Sequence, residues 1–124
     1  MNKILLIVLC LLCVSCSNKE LSYKKIGIDE AYYIINSNPN VVILDVRDYG
    51  DYEDSHIENA INMPYDYINK KELKRIIDNY ETNVIIYSSN NLLSENASIK
   101  LIELGYKNIY TFGKIEEWTY NVTN

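Results

Sequence analysis

Two short runs of uninterrupted apolar residues, Val41–Leu44 and Val84–Tyr87, constrain the fold of this chain more than any other feature. A strand with one face in water alternates apolar and polar residues, whereas a continuous β-branched run suits a strand buried on both faces of a parallel sheet. Parallel neighbours need crossovers, and helical patterns are present to supply them. Ile28 to about Ser37 carries Ile28, Ala31, Tyr32, Ile34 and Ile35 as a buried stripe, with Asp29 and Glu30 suitably placed in the first turn. Asp66 to Tyr80 has Ile68, Leu73, Ile76, Ile77 and Tyr80 at helical spacing, and Ser94 to Leu104 ends at Gly105, where φ > 0 is expected. Tyr23–Ile26, Ile57–Met63 and Asn108–Tyr110 read as further strands, and Ile115–Trp118 as a last helical turn. The pattern predicts an α/β fold, a five-stranded, mostly parallel sheet flanked by helices on both faces.

A chain of 124 residues has room for one domain with a real core, and its formal charge of -5 and pI near 4.8 argue against a nucleic-acid partner. The acidic residues Asp48, Asp51, Glu53, Asp54 and Glu58 lack the spacing of a calcium loop and read as a solvated face, so no metal site is expected. No cofactor motif is present.

The first sixteen residues differ from the rest. Lys3 supplies a positive start, Ile4–Val14 is uncharged and almost wholly apolar, and Ser15-Cys16 follows. Eleven such residues are too few to span a bilayer, which takes about 20, so residues 1–15 are expected to be a signal peptide. The three cysteines, Cys10, Cys13 and Cys16, all lie here. Leu12-Cys13-Val14-Ser15-Cys16 resembles the lipobox of bacterial lipoproteins, with Cys13 where that pattern usually has Leu. The resemblance implies an exported protein acylated at Cys16 and held on the extracytoplasmic side of a cell membrane or outer membrane, with residues 16–22 as a linker and 23–120 as the domain.

Leu44-Asp45-Val46-Arg47, Tyr52, His56-Ile57, Ala60-Ile61-Asn62 and Pro64 are similar to the first signature of rhodanese-like domains, the single-domain sulfurtransferase fold. The second half fits as well: Val84–Tyr87, Ser94 and Ala97, Leu104-Gly105-Tyr106-Lys107-Asn108, then Gly113, Ile115 and Trp118. In that family the fourth strand, here Val84–Tyr87, delivers a catalytic cysteine into a six-residue loop of the type Cys-x-x-Gly-x-Arg, whose backbone N–H groups cradle a persulfide or a substrate anion. Counting back from Leu104-Gly105 places Ser88 at the cysteine, Asn91 at the glycine and Leu93 at the arginine.

The loop Ser88, Ser89, Asn90, Asn91, Leu92 and Leu93 is therefore the candidate binding site. A serine hydroxyl cannot carry a sulfane sulfur and needs a neighbouring base to act as a nucleophile. Leu93 removes a permanent cation that would bind an anion bidentately. Asn91 tolerates a left-handed backbone, which would preserve the loop shape. Asp45 and Arg47 match family positions that brace the loop, and His56 matches a structural turn. These changes point to a non-catalytic module that binds a protein or a small anion. The alternative is a hydrolase or anion-processing enzyme using Ser88, with His56 as its base.

Overall fold

The computed structural model describes residues 22–124; the leader, Cys16 and most of the linker lie outside the described residues. The order of elements is β1 (Lys24–Lys25), α1 (Ile28–Ser37), β2 (Val42–Asp45), α2 (Tyr49–Asp54), β3 (His56–Ile57), β4 (Ile61–Asn62), α3 (Lys70–Ile76), β5 (Asn83–Ser88), α4 (Asn91–Glu103), β6 (Asn108–Lys114) and β7 (Val122–Thr123). Short 3-10 turns at Tyr65–Tyr67 and Ile115–Glu117 join the larger pieces.

Five strands form one parallel sheet in the order β1-β6-β5-β2-β4, as the uninterrupted apolar runs require. Strand β5 is central, with Val84, Ile85, Ile86 and Tyr87 all buried. Successive side chains of a strand point to opposite faces. Leu44, Val84 and Ile86 accordingly pack with Leu73 and Ile77 of the α3 segment and Ala97 and Leu101 of α4. Ile43, Ile85 and Tyr87 pack on the other face with Ala31 of α1, Ile57 and Phe112. Helix α4 closes on Gly105 (φ 104°), with Gly105 N–H donating to the Ile102 carbonyl at 3.0 Å and Tyr106 N–H to that of Leu101 at 3.1 Å. This is the paired arrangement of a Schellman cap, and it buries Leu101 and Tyr106 together.

Several elements depart from the expected boundaries. The strand expected over Ile57–Met63 is two, because Asn59 takes a left-handed conformation (φ 67°) in the turn closed by Ala60 N–H on the Ile57 carbonyl. Of the pieces, β4 joins the main sheet while β3 pairs antiparallel with β7, His56 opposite Thr123 and Ile57 opposite Val122. Ordered pairing thus continues past residue 120. The acidic segment after β2 is the helix α2, and the helix expected over Asp66–Tyr80 is confined to Lys70–Ile76 by the cap at Asn69, whose side chain accepts from Glu72 N–H.

Candidate functional site

The end of β5 and the start of α4 meet at the C-terminal edge of the central strand, where open parallel sheets hold their ligands. Ser88 is the last residue of β5 and is fully buried. Its hydroxyl donates to the Asn90 carbonyl at 2.5 Å and accepts from Asn90 N–H at 3.2 Å. Asn90 caps α4: its side-chain oxygen accepts from Leu93 N–H at 2.8 Å, and its carbonyl accepts from Ser94 N–H and from the Ser94 hydroxyl.

This arrangement corrects the expected six-residue loop. Only Ser89 and Asn90 lie between strand and helix, because α4 begins at Asn91, three residues before Ser94. Asn91 stands in the first helical turn, not in a left-handed conformation; Asn59 is the non-glycine residue with positive φ among the described residues. A helix start leaves four N–H groups without intrahelical partners. Here those of Asn90 and Leu93 are taken by Ser88 and Asn90 side chains, leaving Asn91 and Leu92 for an outside acceptor. Leu92 is exposed, whereas Leu93 is half-buried against the core beneath α4.

The bulge in β6 accommodates the helix start. Pairing skips Phe112, so Tyr87 faces Gly113 (φ 95°), and Asn91 lies against that glycine. Buried Thr111 stabilises the irregularity: its hydroxyl donates to the Ile86 carbonyl at 2.8 Å and accepts from Gly113 N–H at 3.1 Å.

Asp45 and Arg47, at the end of β2, form a buried ion pair. Arg47 Nη2 lies 2.8 Å from Asp45 Oδ2, Nε reaches both carboxylate oxygens at 3.1 Å, and the backbone N–H of Arg47 donates to Oδ1 at 2.9 Å. Arg47 also donates to the Ser55 carbonyl at 2.6 Å, tying α2 to the sheet. Burial opposes the guanidinium charge, but the hydrogen bonds and charge of Asp45 overcome it and hold the Arg47 pKa above its ordinary value. Asn62 clamps the same turn by donating to the Asp45 and Arg47 carbonyls at 3.1 and 2.9 Å. The pair braces the turn that follows β2, on the strand whose Asp45 lies opposite Tyr87 of β5.

Sequence reasoning missed Tyr87. Its phenol oxygen accepts from Ile57 N–H at 3.1 Å, and the Arg47 guanidinium sits 5.7 Å from its ring centre. Burial, then the nearby Asp45 carboxylate, pushes the phenol pKa far above its ordinary value of 10.0. The signal was its register: Tyr87 is the partner of Asp45 on the adjacent strand.

His56 is engaged elsewhere. Its ring stacks on Tyr52 at 3.7 Å, and Nδ1 bonds the Tyr52 carbonyl at 2.8 Å. The Ser88 hydroxyl directs its proton to a backbone carbonyl, so the geometry supplies neither His56 nor another base for the hydrolase alternative.

The comparisons with known proteins agree with this architecture. A model of the rhodanese-like domain family matches residues 28–121. The chain is similar to the thiosulfate sulfurtransferase GlpE of Coxiella burnetii, 31% identical over 97 residues covering 77% of this chain and 87% of that one. It is also similar to the tRNA uridine(34) hydroxylase of Photorhabdus laumondii, 32% identical over 76 residues, but there the match spans only 22% of the relative. The structure superposes on the BH2092 protein of Bacillus halodurans with a TM-score of 0.71 at 28% identity, covering 86% of this chain and 80% of that one. A rhodanese from E. coli, solved with anions, gives a TM-score of 0.63 at 23% identity over 68% of this chain and 98% of its own, a likeness of fold. With a family model covering most of its length and a sulfurtransferase relative matched nearly end to end, the chain belongs to the rhodanese-like domain family.

Proposed function

We propose that this protein is an exported, lipid-anchored rhodanese-like domain that no longer transfers sulfur and acts as a binding module for a protein or a small anion. The observation that carries the reading is the Ser88 hydroxyl, buried at the end of the central strand and bonded to its own turn. Ser88 stands where the family's cysteine is expected, and an alcohol there cannot hold a transferable sulfur. Leu93, where the arginine is expected, packs inward and offers an anion no charge. What remains for recognition is the pair of N–H groups of Asn91 and Leu92 at the positive end of α4, beside exposed Leu92. Export and anchoring rest on the apolar leader ending at Cys16.

The test is thiosulfate:cyanide sulfurtransfer by the purified protein. Thiocyanate formation at the uncatalysed rate is expected, and turnover above it would overturn the reading. Anchoring has its own assay: incorporation of labelled fatty acid into the full chain in a bacterial host should be abolished by Cys16→Ser.

A further inference from the structure

Helix α4 is the crossover between the parallel strands β5 and β6, so it runs opposite to them and to β1. Side chains two apart on a strand share a face about 6.6 Å apart, close to the roughly 6 Å between helix positions four apart. Strand and helix therefore meet as a ladder. At one rung Lys25 forms an ion pair with Glu95. At the next, two residues back along the strand and four on along the helix, Tyr23 and Ile99 line one groove with Ile102. Tyr23 and Ile102 also pack on the core beneath. The rung after that falls to residue 21 of the strand and Ile102–Glu103 of the helix.

The groove stands open at that rung. It has a volume of about 280 Å³, is lined by Ser22, Tyr23, Ile99, Ile102 and Glu103, and leaves Ile99 43% exposed. The described chain starts at Ser22, on the wall of the groove itself. Immediately before it, Ser17, Asn18, Lys19 and Glu20 are polar, and Leu21 is the one apolar side chain. Leu21 and Tyr23 have the spacing that puts both on the face turned to α4. A residue joined directly to the wall closes almost no loop to reach the groove, an advantage that a second copy or a lipid lacks.

We propose that this groove is the docking site of Leu21, whose side chain covers Ile99 and Ile102 and extends the ladder by one rung. The domain then begins at Leu21. The docking does not depend on acylation of Cys16. Where Cys16 is acylated, as proposed above, the chain from Cys16 to Leu21 holds the domain within about 18 Å of the lipid.

The experiment compares the full chain with Leu21→Ala, Leu21→Met and Ile99→Ala by urea denaturation and by NMR of the isoleucine methyl groups. Leu21→Ala should raise the unfolding equilibrium constant roughly five- to thirtyfold, while Leu21→Met stays close to wild type. The double variant Leu21→Ala, Ile99→Ala should lose less than the sum of the single changes. In Leu21→Ala the Ile99 and Ile102 methyl resonances should move equally at every protein concentration. Additive losses with unmoved methyl resonances would overturn the proposal. So would methyl shifts that grow with protein concentration, or that appear only on adding phosphatidylcholine vesicles, since these assign the groove to a second copy or to lipid.

Discussion

Asn91 lies so closely over Gly113 that a β-carbon added to the glycine would overlap its side-chain oxygen. The contact joins the first turn of α4 to the bulge in β6, and Gly113 holds a positive φ of 95°. Two effects thus oppose a side chain there, one steric and relievable, the other in the backbone. Gly113→Ala should cost about 1–3 kcal/mol, read as a lowered urea midpoint. In an Asn91→Ala background most of that loss should persist. If it disappeared, the contact and not the backbone would be its source.

Arg47→Ala removes the partner of a fully buried carboxylate. Breaking a buried pair from one side costs about 3–5 kcal/mol, because the remaining charge is left in a poorly solvating interior. The double variant Asp45→Ala, Arg47→Ala should lose clearly less than the sum of the two single changes. Chemical denaturation of the four proteins measures the coupling, and additive losses would show that the two charges act independently.

The raised pKa of Tyr87 has a defined pH signature. Below pH 10 the phenol is protonated in both folded and unfolded chains and stability is unaffected by it. As pH rises past the ordinary value of 10.0, the unfolded chain releases its proton while the folded one keeps it, so the folded state loses ground. The slope is about 1.4 kcal/mol per pH unit for one group. Tyr87→Phe should be less stable at neutral pH through loss of the Ile57 hydrogen bond, yet show a shallower decline above pH 10. Parallel curves for the two proteins would contradict the assignment.

Ser88→Cys alone should remain without sulfurtransferase activity, since the neighbouring turn still lacks a cation for thiosulfate. Adding Leu93→Arg supplies that charge, and the double variant should form thiocyanate above the wild-type rate. Activity in the single variant would show that the N–H groups of Asn91 and Leu92 suffice to bind the substrate.

The central architecture was legible because β2 and β5 are buried on both sides and their residues say so without alternation. The α4 boundary at Gly105 was legible for a similar reason: only one local conformation ends the helix there. The start of α4 was not, because Asn90 acts as a cap and draws Asn91, Leu92 and Leu93 into the helix, whereas the sequence pattern opens the helix at Ser94. The split at Glu58-Asn59 was hidden because the apolar residues on either side read as one run. Helix α2 has no buried residue, so no apolar stripe announces it.

The stacking of Tyr32 on Tyr120 was illegible for a different reason. Twelve tyrosines suggest a compositional habit when read in order. Tyr32 belongs to the first helix and Tyr120 to the last segment, and they become neighbours only once the end of the chain reaches β3. Two-residue strands such as β3 and β7 carry no pattern of their own.

The order β1-β6-β5-β2-β4 also fixes when the domain can close during synthesis. Lys24, at the start of the described chain, pairs with Tyr110, so the opening strand has no hydrogen-bonding neighbour until β6 has been made. Even β2, made early, finds its central partner only with β5. A ribosome working from the N-terminus therefore releases a chain whose sheet forms late, from contacts distant in sequence, and topologies of that kind fold slowly.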